Sequence, residues 1–362
     1  MAKKKNVTFD DIAKYTNFSK TTISRYFNDI DSLTLENQQI ISDALVELNY
    51  KENKVARILA NGKTEFIGII IPDLYYHFYS EMLASILSTY EEFGYKFLVF
   101  IGNEKEETER SYIQELLAYK IEGMIIMSHT IPSGELAKLP IPIVTIERED
   151  QYVCSVNTDN YMGGYQAAGL LAKHHCDILI HINSPYNEAI PANGRIRGFT
   201  DFCTEHDLRN ELLLREFGHT HEEAREQLID ILEQLETAYA GQKKGIFISS
   251  DTLANTLLNL LIRKYGRLPD DYLLVGYDNS LISREAIISI STIGQQIEKL
   301  AHEAVSLLVE QMEERKKRKP VPLEEPIHKI ITPVLFRRET TEKCAVDGDG
   351  MEESQAVKGA WL

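Results

Sequence analysis

Seven short apolar runs, most of them followed by a helical stretch, constrain this chain more than any other feature: FIGIIIPD (66–73), YKFLVFIGN (95–103), GMIIMSH (123–129), PIVTIER (142–148), DILIHINSP (177–185), GIFISSD (245–251) and YLLVGYDN (272–279). Runs this short, rich in Ile, Val and Phe, read as strands buried on both faces. Their alternation with helical patterns predicts parallel sheets built from right-handed βαβ units. Many of the runs end in Asp, Asn, Ser or Glu, which places polar groups at the carboxyl edge where open α/β sheets bind ligands. Two groups of units, about 65 to 160 and 161 to 290, predict two similar halves with a cleft between them.

The first 63 residues read differently, with helical patterns and no strand. Thr8, with Asp11 three residues on, forms a capping-box signature before a short helix. Ser19 can cap a second helix from Lys20 to Phe27, whose Ile23, Tyr26 and Phe27 share one side. Lys20 with Ser24 and Thr21 with Arg25 lie four apart, so each pair shares a turn of the opposite, polar side. A third helix is expected from Thr34 to Leu48, packing through Ile41, Ala44, Leu45 and Leu48. The stretch from Asn53 to Ala60 offers only about two turns, too short to be a stable helix alone. A basic run, Arg315 to Lys319, reads as a helix end before Pro320, and the residues from Thr341 read as a disordered tail.

Charge separates the same two regions. The chain of 362 residues carries a net charge of −16, yet residues 1 to 63 hold 10 Lys/Arg against 8 Asp/Glu. The N-terminal region is thus suited to an anion that the acidic body would repel. No apolar run approaches the ~20 residues that span a bilayer, and no secretory signal follows Met1, so a cytoplasmic protein with no membrane partner is expected. The four cysteines form no C-x-x-C pair, and no phosphate loop, nucleophile elbow or zinc-protease helix is present. Neither a catalytic centre, a cofactor nor a metal is expected.

The segments Val7 to Ala13, Phe18 to Arg25 and Asn28, continuing through Glu47 to Tyr50 into Asn53 to Ala60, resemble the DNA-binding headpiece and hinge of the LacI/GalR family of bacterial repressors. The body from residue 65 to about 340 resembles the same family's periplasmic-binding-protein-like sensor, through Ile71 to Leu74, Val144 to Glu147, Val156 to Asn160, Arg195 to Phe199, Phe247 to Asp251, Val275 to Asn279 and Pro333 to Glu339. The fold expected is α followed by α/β: a helix-turn-helix headpiece over 1–52, a hinge helix over 53–63, a two-lobed sensor of type I over 64–340, and a tail over 341–362. Within the sensor, the first lobe is expected to take about 64–160 and 292–325, and the second about 161–291 and 326–340.

What the resemblance implies fits the chemistry of the residues. Lys20, Thr21 and Arg25 suit base edges in the major groove. Ser19, Thr22, Ser24, Asn28, Tyr50 and Asn53 suit phosphate oxygens. Lys54, Val55, Ala56 and Leu59 would lie in the hinge, Leu59 as an apolar wedge in the minor groove. Phe78, Glu147, Asp159, Arg195, Ser250 and Asp278 would line the cleft. Carboxylates accept bonds from sugar hydroxyls, a guanidinium donates, and an aromatic face covers C–H surface. Three positions depart from the usual family pattern: Glu147 where Asp is usual, Ser250 where Asn is frequent and Asn255 where Gly is frequent. Phe217 and His219 fall where the alignment slips and are not assigned. The expected function is a homodimeric repressor that reads a pseudopalindromic operator under control of a small effector, most simply a sugar. A carbon-catabolite regulator using a phosphorylated carrier protein is the alternative, and a sugar-binding protein or enzyme a remote one.

Overall fold

The computed structural model describes residues 7–51, 64–148, 151–185, 190–321 and 323–342. The chain divides into two compact units, Met1–Thr64 and Glu65–Leu362.

In the first unit, α1 (Phe9–Thr16) begins with the reciprocal Thr8–Asp11 capping box, which satisfies two amide donors that a bare helix end would leave open. Asn17 takes a left-handed conformation with φ 58° and ends α1. Ser19 then opens α2 (Lys20–Asn28), its hydroxyl accepting from the Thr22 amide at 3.0 Å. The third helix, α3 (Leu35–Glu47), is capped by Thr34. Ile12, Ala13, Ile23 and Ile41 form the core, with Phe9, Phe27 and Tyr50 packed against it.

The second unit contains two six-stranded sheets. The first has the order β11-β5-β4-β3-β1-β2, formed by β1 (Phe66–Ile71), β2 (Lys96–Ile101), β3 (Gly123–Ile126), β4 (Ile143–Ile146), β5 (Cys154–Thr158) and β11 (His328–Ile331). All its neighbours pair in parallel. The second has the order β12-β10-β9-β8-β6-β7, formed by β6 (Ile178–Asn183), β7 (Asn210–Leu214), β8 (Lys244–Ile248), β9 (Tyr272–Asp278), β10 (Ser291–Gly294) and β12 (Val334–Phe336). Only β12 runs antiparallel to its neighbour. The matching orders, 2-1-3-4-5 in each sheet, make the two lobes the duplicates that the strand pattern predicts.

Helices cover both faces of each sheet, which is why the strands read as continuous apolar runs. In the first lobe α4 (His77–Ser88) and α10 (Ile297–Lys316) pack on one face, and α5 (Glu106–Ala118) on the other. In the second, α8 (His221–Ala238) and α9 (Asp251–Tyr265) cover one face, with α6 (Asn160–Ala172) and α7 (Gly194–Glu205) on the other. The α6–α7 crossing is close because Gly164 and Gly198 lie in it. A Cβ on Gly164 would come within 2.1 Å of the Arg195 carbonyl, and one on Gly198 within 1.9 Å of the Tyr161 carbonyl.

Two lobe boundaries differ from expectation. The C-terminal crossover lies between Ile331 and Val334, not near 326, because His328–Ile331 pairs in parallel with β5 of the first sheet. Residues Thr292 to Gly294 belong to the second sheet, through pairing with β9. The expected tail also starts late: Thr341 is buried, its hydroxyl 2.6 Å from that of Ser291. The remainder of that tail, from 343, lies outside the described residues.

Candidate functional site

On the headpiece, Lys20, Thr21, Arg25 and Asn28 are exposed along α2, while Thr22 and Ser24 are half-buried. The Lys20 ammonium lies 2.6 Å from Asp10, a surface pair worth at most ~1 kcal/mol and thus readily exchanged for another anion. Ser19 is occupied as the helix cap, its hydroxyl 2.8 Å from that of Thr22. Asn28 donates to the Ser24 carbonyl at 2.9 Å and to its hydroxyl at 3.1 Å. The Tyr50 ring is committed to the core, 5.7 Å from Phe27 and 6.1 Å from Phe9 between centroids. Asn53, Lys54, Val55, Ala56 and Leu59 lie outside the described residues.

In the body, three of the six cleft candidates meet in one hydrogen-bonded chain at the crossovers between lobes. Glu147 follows β4 in a left-handed conformation with φ 52°. One of its oxygens accepts from the Thr158 amide, and the other from Asn160 Nδ2 at 2.8 Å. Asn160 Oδ1 in turn accepts from Arg195 Nε at 2.7 Å and from the Tyr277 hydroxyl at 3.1 Å. Arg195 also donates to the Ser249 carbonyl at 2.6 Å. On the other side of Thr158, its hydroxyl donates to Gln295 Oε1 at 2.6 Å, and Gln295 Nε2 donates to Asp278 Oδ1 at 2.8 Å. One network therefore runs from Asp278 in the second lobe, through Glu147 in the first, and back to Arg195.

Burial sets the electrostatics of this network. It raises the Asp278 carboxyl well above the ordinary carboxylate range, and neighbouring Asp251 raises it further against the lowering pull of Arg195. Burial also pushes Asp251 up to about 7, with hydrogen bonds from Thr292 and Ser280 opposing it. The Ser280 amide donates to Asp251 Oδ2 at 2.8 Å. His129 Nε2 lies 2.8 Å from the Glu147 carbonyl, and burial lowers its pKa.

The other three candidates do not join the chain. Asp159 caps α6, accepting from the Met162 amide at 2.9 Å, and its neighbour Asn160 takes the inner place. Ser250 caps α9, accepting from the Leu253 amide at 3.3 Å. Phe78 is buried in the first lobe's core, edge-on to Tyr79 at 5.3 Å. The residues missed are Asn160, Tyr277, Gln295 and Thr158. Asn160 and Tyr277 stand inside segments singled out as landmarks, next to assigned acids.

Residues 64–236 match the family described as periplasmic binding proteins and sugar binding domain of LacI family, and residues 167–332 match a periplasmic binding protein-like domain. The body of the chain carries the LacI-family sensor domain. Among its relatives, the ribose operon repressor of Halalkalibacterium halodurans is 29% identical over 92% of this chain and 97% of the relative. The sucrose operon repressor of Pediococcus pentosaceus is 27% identical over 84% of this chain and 92% of the relative. A crystal structure of the Lac repressor dimer bound to operator and an anti-inducer shares the fold, with a TM-score of 0.77 and 22% identity over 93% of this chain and 99% of that one. A LacI-type regulator from Alkaliphilus metalliredigens complexed with D-xylulofuranose shares 25% identity, with a TM-score of 0.66 over 77% of this chain and 100% of that one. Like these relatives, this LacI-family protein is a transcriptional regulator. No helix among the described residues is long and apolar enough to cross a membrane.

Proposed function

We propose that this chain is a homodimeric repressor whose binding to a pseudopalindromic DNA operator is controlled by a sugar held between the lobes of its sensor. The observation that carries the proposal is the buried chain from Asp278 through Gln295, Thr158, Glu147 and Asn160 to Arg195, which couples polar side chains of both lobes at the crossovers. Glu147 can accept from a sugar hydroxyl through lone pairs that its present partners leave open, and the Asp278 carboxyl, which burial holds toward its protonated form, can donate to one as well as accept. A ligand that bonds to both lobes shifts their relative angle by its differential affinity for the closed arrangement.

The headpiece supplies the second half of the reading. Lys20, Thr21 and Arg25 reach base edges in the major groove, and Ser19, Thr22, Ser24, Asn28 and Asn53 contact phosphates. Tyr50, with its ring in the core, has at most its hydroxyl to offer. Lys54, Val55, Ala56 and Leu59 form the hinge, with Leu59 the wedge in the minor groove. One headpiece reads a half-site, so two related by a twofold axis read the whole. Operator binding places the protein in the cytoplasm, and its sites serve binding, with no catalytic step.

The test is titration of the purified protein onto a labelled pseudopalindromic promoter fragment from its own genome neighbourhood, at two salt concentrations, with a panel of mono- and disaccharides. Tight, salt-sensitive binding altered by one sugar is expected. Binding that no sugar alters would overturn the effector assignment, and no specific binding to any fragment would overturn the headpiece assignment.

A further inference from the structure

Away from the crossovers, a second group of contacts joins the lobes, and its centre is a histidine flanked by acids. The segment after β1 carries Asp73, Tyr75, Tyr76 and His77 toward the second lobe. The Tyr76 hydroxyl donates to the Gly218 carbonyl at 3.2 Å, and the His77 amide donates to Thr252 Oγ1 at 3.1 Å. The rings of Tyr75 and Tyr76 pack against the second lobe's apolar cluster. Between them, His219 of the second lobe places Nδ1 3.0 Å from Asp73 Oδ2 and Nε2 3.3 Å from Glu104 Oε2, both acids of the first lobe.

A neutral imidazole has one N–H and can donate to only one of these carboxylates, whereas an imidazolium donates to both. We propose that His219 is a proton-dependent clasp, which in its protonated form ties Asp73 and Glu104 to the second lobe and holds the cleft closed without any effector. The groups facing it are all acids: Asp73 after β1, Glu104 after β2, and Glu223 in the first turn of α8, which accepts from the His219 amide at 3.0 Å. Glu216 adds its charge to Glu104. Loss of the His219 proton would leave carboxylates of the two lobes facing each other without the intervening cation.

The direction of titration agrees with the geometry. Burial lowers the imidazole, but the Asp73 hydrogen bond and the charges of Glu104, Asp73 and Glu223 outweigh it and leave His219 above the ordinary 6.5. The clasp is therefore complete below the ordinary imidazole value and is lost as pH rises through the raised one.

The His77 amide donates across the lobes, so its hydrogen exchange reads closure directly. In the full chain, without sugar or DNA, its protection relative to the Ile69 amide in β1 is measured from about pH 6 to about pH 8.5, with intrinsic exchange divided out. A severalfold loss of relative protection is expected across that range. His219→Gln and Asp73→Asn are each expected to remove the step and to show low protection at both ends. The proposal is overturned if the wild type shows no step. It is equally overturned if the step survives in either variant. Neither result depends on which effector or operator the protein uses.

Discussion

The guanidinium carbon of Arg195 lies 3.5 Å from the centroid of the Tyr277 ring, over its face, and both residues bond to the same oxygen of Asn160. A cation stacked on an aromatic ring and fixed by two further acceptors has little rotamer freedom left. This pairing joins α7 to β9 and aims the remaining guanidinium donors by packing. Arg195→Ala would leave Asn160 and the Ser249 carbonyl short of a donor in a buried site, a loss of about 3 kcal/mol. We expect that loss in urea unfolding of the sensor, together with a flat response of operator binding to sugar. Retained stability with a normal response would remove Arg195 from the cleft.

Arg25 is exposed, so its truncation tests function with little effect on folding. Arg25→Ala is expected to weaken specific operator binding by ~1–3 kcal/mol in a fluorescence anisotropy titration, with headpiece melting unchanged. Ile23, two residues earlier and fully buried, is the contrasting case. Ile23→Ala should cost ~2–5 kcal/mol of headpiece stability through a core cavity, and lose DNA binding only as the headpiece unfolds.

The capping box can be tested alone. Thr8→Ala removes the oxygen that accepts from the Asp11 amide, and a headpiece destabilisation of about 1 kcal/mol is expected in thermal unfolding. Thr8→Ser should recover most of it.

Asp251 gives the sensor a pH dependence whose sign is fixed by its environment. Burial pushes this carboxyl up to about 7, so the folded state holds its proton where the unfolded chain has released it. Stability therefore falls as pH rises from the ordinary carboxylate range through about 7. Urea midpoints of the sensor should decline over that interval, and Asp251→Asn should flatten the decline. A midpoint that rises with pH in the wild type and not in the variant would contradict the assignment.

Much of the architecture was legible because it depends on local pattern. Thr8 and Ser19 announce their helices through bonds three residues long, and the apolar strands announce a sheet covered on both faces. The buried network between the lobes was legible only in part. Glu147, Arg195 and Asp278 stand in landmark segments, but Asn160 acts through Arg195, 35 residues away, and Gln295 through Thr158, 137 residues away. No periodicity records such pairings. Asp159 and Ser250 each cap a helix, and because a helix-capping side chain and a ligand-binding one are the same small polar residues at the same strand ends, the sequence alone does not separate the two roles. The misplaced crossover near 326 has a similar cause: HKII and VLF are two short apolar runs around Thr332 and Pro333, and nothing in their composition assigns them to different sheets.

The chain passes between the two lobes three times, after β5, after β10 and after β11, and this has a consequence for how it is made. The first lobe's sheet lacks its edge strand, and its face lacks α10, until residues 297–331 have left the ribosome, by which time β6 to β10 of the second lobe have already emerged. The headpiece is complete within the first 51 residues and can fold as soon as it is clear of the exit tunnel. During synthesis the nascent protein thus holds a folded three-helix unit well before the second unit is complete, and a prematurely terminated chain would retain the first without the second.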